Sequence, residues 1–184
     1  MALKSTVFKA EVQIADMDRH HYGNHALTIA RHPSETDERM MVRIVAFSLY
    51  ADEALAFGRG LGEEDEPALC IKDLTGAMRL WIHVGLPDEK LIRKSCGRAV
   101  DVVVVSYGGS AADIWWEKNR SKLERLGNLT VLNLALPDSK ALAGMVKRSM
   151  ILQATIQDGA VLFSGEGQAI DLHPQRFKAA AGVH

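Results

Sequence analysis

The residues best suited to chemistry in this chain are a few carboxylates, one histidine and two clusters of bases. Glu38 stands in "HPSETDERMMVRIVAFSLYADEALAF", a run with helical spacing. At about 100° per residue, Glu38, Val42, Val45, Leu49 and Ala56 fall along one line, so the carboxylate shares an apolar stripe. Burying an ionised carboxylate is costly unless it is paired or bound to metal. Two readings stay open: a salt bridge to Arg31 or Arg43, or a ligand for a cation. A second acidic set, Glu63-Glu64-Asp65-Glu66, precedes Pro67. It is a solvated loop or, if its groups converge with Glu38, a shell for a divalent cation. His83 lies in "LWIHVGLPDEK" between Ile82 and Val84, near the exit of a strand where α/β enzymes often place chemistry. It is a hydrogen-bonded cleft residue, a ligand or a proton-transfer group.

The bases lie on two predicted helices. Over 88–98, Lys90, Arg93, Lys94 and Arg98 gather on one side, opposite Leu91, Ile92, Ser95, Cys96 and Ala99. The acidic start, Asp88 and Glu89, suits the helix dipole. In "AADIWWEKNRSKLERL" the face with Ala112, Trp115, Trp116, Asn119, Leu123 and Leu126 carries Lys118 and Lys122 beside it. Both basic sides read as solvated faces or as contacts for phosphates. The paired tryptophans read as core or as a stacking platform for bases. His20, His21 and His25 fall in or beside a turn and read as exposed. Gln153, Thr155 and Gln157 share one polar face of a C-terminal hairpin, and Gln153 and Gln157 are expected to line the same cleft as the acids.

The elements that must position these groups follow from periodicity. Residues 4–15 and 25–31 alternate as strands joined through "DMDRHHYGN". Pro33 and Ser34 signal a helix start, with Ser34 as cap and Asp37 completing a weak capping box. That helix is apolar over most of its circumference, polar only around Arg39, Arg43 and Tyr50, and therefore central. From His83 onward the pattern runs strand, helix (88–98), strand (101–107), helix (110–126), strand (128–134), with a short helix near 138–147. "DVVVVSY" is apolar on both faces, which suits an interior parallel strand. Asp158-Gly159 marks a terminal hairpin. The expected fold is one α/β domain over residues 1–184, with a mixed sheet flanked by helices, antiparallel at its ends and parallel in its middle. A formal charge of −1 gives no bulk attraction to polyanions, so nucleic acid must meet a local basic face. Two cysteines, Cys70 and Cys96, make neither a disulfide framework nor a zinc spacing. The start of the chain does not read as a signal peptide and no segment reads as a membrane span, so a cytoplasmic protein is expected. Oligomeric state is not legible.

Five motifs, "IARHPSETDERMM", "DEP", "LWIHVGLPDE", "IWW" and "LQATIQDG", occur in order along almost the whole chain. Their combination resembles the YaeQ family of bacterial proteins. The resemblance implies a variation on the PD-(D/E)XK core of restriction and repair nucleases. In that core, acids hold Mg²⁺ or Mn²⁺ at the scissile phosphate, and a Lys or Gln orients the attacking water. The helix acid maps to Glu38 or, second, Glu35. The Pro-Asp pair maps to Pro67 and Ala68, and the strand acid to His83. The amide or lysine position falls at Leu86, with Lys90 or Lys94 as substitutes from the next helix. The family pattern carries an acid at the positions of both Ala68 and His83. Ala68 has no ligand to offer, and neutral imidazole suits Mg²⁺ poorly. Asp65 or Glu66 would have to reach inward to replace position 68. The expectation is a nucleic-acid-associated protein, meeting DNA or RNA, whose metal-dependent phosphodiesterase site is degenerate. The alternatives are an active nuclease using Glu38, Asp65 or Glu66, and His83, or a non-enzymatic protein-interaction module.

Overall fold

The computed structural model describes residues 4–58 and 65–182. β1 (Thr6–Asp16) and β2 (His21–Arg31) pair antiparallel along their full length. Their turn, 17–20, is shorter than the polar run suggested, with His20 at φ 56°. β2 therefore begins at His21 and takes in both His21 and His25. α1 (Asp37–Leu49) follows, then β3 (Leu55–Phe57), β4 (Leu69–Lys72), β5 (Met78–Val84), α2 (Glu89–Cys96) and β6 (Asp101–Ser106). Next come α3 (Ser110–Leu123), β7 (Leu129–Asn133), α4 (Leu136–Ala143), β8 (Ser149–Gln157), β9 (Ala160–Gly165), β10 (Gln168–Leu172) and β11 (Gln175–Lys178).

The expected α/β architecture is present, with its strands divided between two mixed sheets instead of one. One has the order β10-β9-β8-β1-β2, the other β11-β7-β6-β5-β4-β3. β1 pairs parallel with β8, which joins the hairpins from the two ends of the chain into a single sheet. In the second sheet β5, β6 and β7 are parallel and the flanking strands antiparallel. Asp158 (φ 52°) and Gly159 (φ 77°) make the tight turn between β8 and β9, both in the left-handed region that such a two-residue turn requires. Asp18 clasps that turn, its carboxylate accepting from the Asp158 and Gly159 amides at 2.8 and 2.9 Å.

Two cores result. Val12, Ile29, Leu152 and Phe163 of the first sheet, α1, and Leu69, Ile82, Val103 and Val105 of the second form one. Trp81, Val102, Val104 and Val131 pack with Ile92 of α2 and Trp116 and Leu123 of α3 to form the other. β6 is thus buried on both faces, as its sequence indicated. α1 is central, with Met40 through Ser48 all buried. Its cap is Thr36, whose hydroxyl accepts the Arg39 amide at 3.1 Å, so the cap falls two residues beyond Ser34. Arg43 is 1% exposed and belongs to the interior, contrary to the polar sector assigned to it. No helix among the described residues is long and apolar enough to cross a membrane.

Candidate functional site

The buried acid of the α1 region is Glu35, not Glu38. Glu35 is 5% exposed and is held between Arg39 and Arg43, one carboxylate oxygen on each. Arg43 also donates to the Ala30 carbonyl at 3.1 Å. Burial pulls the Arg43 guanidinium below its ordinary pKa, and the adjacent Glu35 opposes that pull. Arg31 pairs with Asp37. Both arginines considered as partners for Glu38 are therefore engaged elsewhere. Glu38 is half-buried and accepts a hydrogen bond from the Ser139 hydroxyl of α4 at 2.8 Å.

His83 faces the other way. Along β5, Ile82 and Val84 enter the core that contains α1, whereas Trp81 enters the core that contains α2 and α3. Alternation puts His83 on the Trp81 side. Its Nε2 lies 2.9 Å from the Ser95 hydroxyl of α2, and its ring is 5.8 Å from that of Trp81. The Ser95 hydroxyl also lies 2.8 Å from the Ile92 carbonyl, which can only accept. With the single hydroxyl proton given to that carbonyl, His83 Nε2–H is the donor to Ser95, and Nδ1 keeps its lone pair. Burial pushes the His83 pKa down to about 4, so the ring is neutral around pH 7. Glu38, on α1, and His83, on β5, thus lie on opposite sides of the six-stranded sheet.

The register of β4 with β5 starts at the pair Leu69–Ile82 and does not run on regularly to Ala68. The Ala68 amide donates to the Ile82 carbonyl at 2.9 Å. The two positions at which the resemblance calls for acids are filled by a methyl group, packed against the core that contains α1, and by a neutral imidazole that faces the other core. Beside Trp81 a cavity of about 640 Å³ is lined by Asp65, Glu66, Lys72, Trp81 and Arg98, among others. Trp81 is 5% exposed, and its indole Nε1–H is buried without an acceptor. Asp65 is ion-paired with Lys94 at 2.6 Å, and that hydrogen bond holds its carboxyl below the usual range. Among the described residues, no three His, Cys, Asp or Glu side chains are grouped so as to hold a metal ion. Glu63 and Glu64 lie outside the described residues.

The basic faces occupy the outer layer built by α2 and α3. Lys90, Lys118 and Lys122 are exposed there, while Arg93 lies 3.4 Å from Glu89 one turn away. The tryptophans are structural: Trp115 donates to the Pro87 carbonyl at 2.8 Å, and Trp116 stacks on Phe177 at 5.5 Å. Gln153 and Gln157 are exposed on the outer face of the five-stranded sheet, away from α1, and do not share a cleft with Glu38. His21 and His25 are not free turn residues. Their rings stack at 5.2 Å with the Nε2 atoms 2.9 Å apart, and His25 meets the edge of Phe47. Burial, then the neighbouring His21, holds the His25 pKa below its ordinary value. The i, i+4 spacing around Gly23 on a strand was the signal for that pairing. The features that the sequence reading missed are the Trp81 donor and the base Lys72; Arg98 was read on the basic side of α2 but not as part of a cavity.

A family model described as "YaeQ protein" matches residues 1–174. The chain is 49% identical over 164 residues to "Uncharacterized protein YaeQ" of Salmonella typhi, covering 89% of this chain and 91% of that one. It is 44% identical over 173 residues to the protein of the same description in Escherichia coli strain K12, covering 94% and 96%. The crystal structure of a YaeQ protein from Xanthomonas axonopodis pv. citri superposes with a TM-score of 0.93 at 47% identity, covering 95% and 99%. That of a YaeQ protein from Pseudomonas syringae gives 0.92 at 33% identity, covering 97% and 98%.

Proposed function

The chain belongs to the YaeQ family, and from that premise we propose that it is a nuclease-like protein that binds nucleic acid without cutting it. The observation that carries this reading is the open cavity lined by Trp81 with Lys72 and Arg98. Lysine and arginine in its lining make an anionic oxygen, as in a phosphodiester, a fitting ligand group. Lys90, Lys94, Lys118 and Lys122 extend positive charge over the neighbouring helices.

The residues present do not fit Mg²⁺ or Mn²⁺ well enough to support hydrolysis. Ala68 supplies no donor atom, His83 is a neutral base tied to Ser95, and Glu38 lies on the opposite side of the sheet. No catalytic step is assigned to Glu38, His83 or Lys94.

Fluorescence anisotropy with labelled single- and double-stranded DNA and RNA across a salt series tests the binding. The logarithm of affinity should fall linearly with the logarithm of salt concentration, and Lys72→Ala and Arg98→Ala should each lower the slope by about one. Binding indifferent to salt would point instead to a protein-interaction module.

The lost acids make a separate test. The unmodified protein should give neither cleavage nor a melting shift with millimolar Mn²⁺. Cleavage by the unmodified protein that stops in Glu38→Ala would replace the binding reading with an active nuclease.

A further inference from the structure

A second cavity, of about 610 Å³, lies on the other side of the six-stranded sheet from Trp81. It exists because α1, which wedges the two sheets apart, ends at Leu49 while the sheets continue. Ile156 of β8 faces Leu80 and Leu132 across the gap, and Leu49 and Tyr50 form its end wall.

Most polar groups around this gap are already committed. Arg19 donates to the Leu49 and Ala51 carbonyls at 3.2 and 2.9 Å, satisfying the end of α1 and the residue beyond it. Asp52 accepts the Ala54 amide, and Asp18 holds the β8–β9 turn. Five groups are left. Asp16 is 1% exposed; its Oδ1 accepts the Arg19 amide, but its Oδ2 is buried with no hydrogen-bond partner, the Arg19 guanidinium standing 3.6 Å away. Arg79, Asp101 and Arg176 line the cavity and make no ion pair among the described residues. Asp101 alternates with Val103 on β6 and Arg176 is in register with Leu132, which puts both on the cavity side. Tyr50 lies between them, and burial pushes its phenol up to about 12, so the hydroxyl stays a donor.

The set combines two acceptors, the buried Asp16 Oδ2 and the exposed Asp101, with two exposed cations, Arg79 and Arg176, around an apolar floor. A simple anion would leave both aspartates unanswered, and a simple cation would leave both arginines so. We infer that the gap between the sheets binds a small zwitterion on an apolar skeleton, the chemistry of an apolar amino acid or dipeptide. Its carboxylate meets Arg176 and the Tyr50 hydroxyl, its ammonium meets Asp16 Oδ2 or Asp101, and its side chains lie on Leu80, Leu132 and Ile156. The volume falls within the usual range for a small-molecule site. This inference is independent of nucleic-acid binding, because the two cavities are separated by the sheet.

The test is a heteronuclear NMR titration of the full chain with L-leucine and L-leucyl-L-leucine. Isocaproate, which lacks the ammonium, and isoamylamine, which lacks the carboxylate, are the comparison probes. Saturable shifts should appear for at least one zwitterion at millimolar concentration, centred on Leu80, Leu132 and Ile156. Each comparison probe should bind about tenfold more weakly or not at all. Arg176 and Asp101 are exposed, so Arg176→Gln and Asp101→Asn keep the fold. Each should weaken the zwitterion by about tenfold. The inference is overturned if neither zwitterion gives saturable shifts, if the comparison probes bind equally well, or if Arg176→Gln leaves affinity unchanged.

Discussion

Glu35→Ala should cost the fold roughly 3–5 kcal/mol, the penalty for breaking a buried ion pair from one side. For a chain of this length that is a fall in melting temperature on the order of 10 °C. The reason is the environment left behind. Arg43 is sealed beneath the first sheet with its Nε already unsatisfied, and Glu35 is its carboxylate partner. Removing the carboxylate strands a guanidinium where water cannot reach it. Glu35→Leu together with Arg43→Met should recover most of the loss, because two apolar side chains remove the stranded charge. Breaking the exposed Arg120–Glu124 pair should leave the melting temperature unchanged within error. Thermal melts of the three variants decide the matter, and a small effect of Glu35→Ala would mean that Arg43 finds water or another partner.

The second large effect is a pH dependence that His83 alone should impose. In the unfolded chain its imidazole titrates near the ordinary value of 6.5, and in the folded chain near 4. Between these values the unfolded state holds the extra proton, so stability falls as the pH is lowered from 6.5 towards 4. Above 6.5 both states are neutral and the penalty vanishes; below 4 it is complete. Its full size is about 3 kcal/mol, at roughly 1.4 kcal/mol per pH unit of displacement. His83→Gln removes the titration while keeping a donor for Ser95. Denaturant midpoints for both proteins, measured from pH 4 to pH 7, should converge at the acid end by about that amount. Parallel curves would show that the ring is solvated enough to take up a proton in place.

The sequence disclosed those parts of the molecule whose causes are local. Asp158-Gly159 demanded a tight turn, the unbroken valines of β6 demanded burial on both faces, and the apolar circumference of α1 demanded a central place. What stayed hidden depends on partners far away in the chain. The choice between Glu35 and Glu38 as the buried acid turns on where the helix is capped, and Thr36 displaced Ser34 in that role. Arg43 looked solvent-facing because nothing nearby announces Glu35 reaching it from before the first turn. His83 declared itself by its position, but its commitment to Ser95 required the docking of α2 on β5. The parallel pairing of β1 with β8 left no mark in either strand, because alternation fixes a face and says nothing of a neighbour.

That pairing also governs the order in which the chain can fold. Residues 9–16 are matched to residues 149–156, so one edge of the β1–β2 hairpin stays bare until residue 156 has left the ribosome. Loops of such length must close before the contact repays them, which makes this step slow compared with forming α1 or the β5–β6–β7 unit. During that interval β1 offers an unpaired strand edge to any other chain in reach. The five-stranded sheet is therefore completed late, and the waiting hairpin is a point at which synthesis is exposed to aggregation.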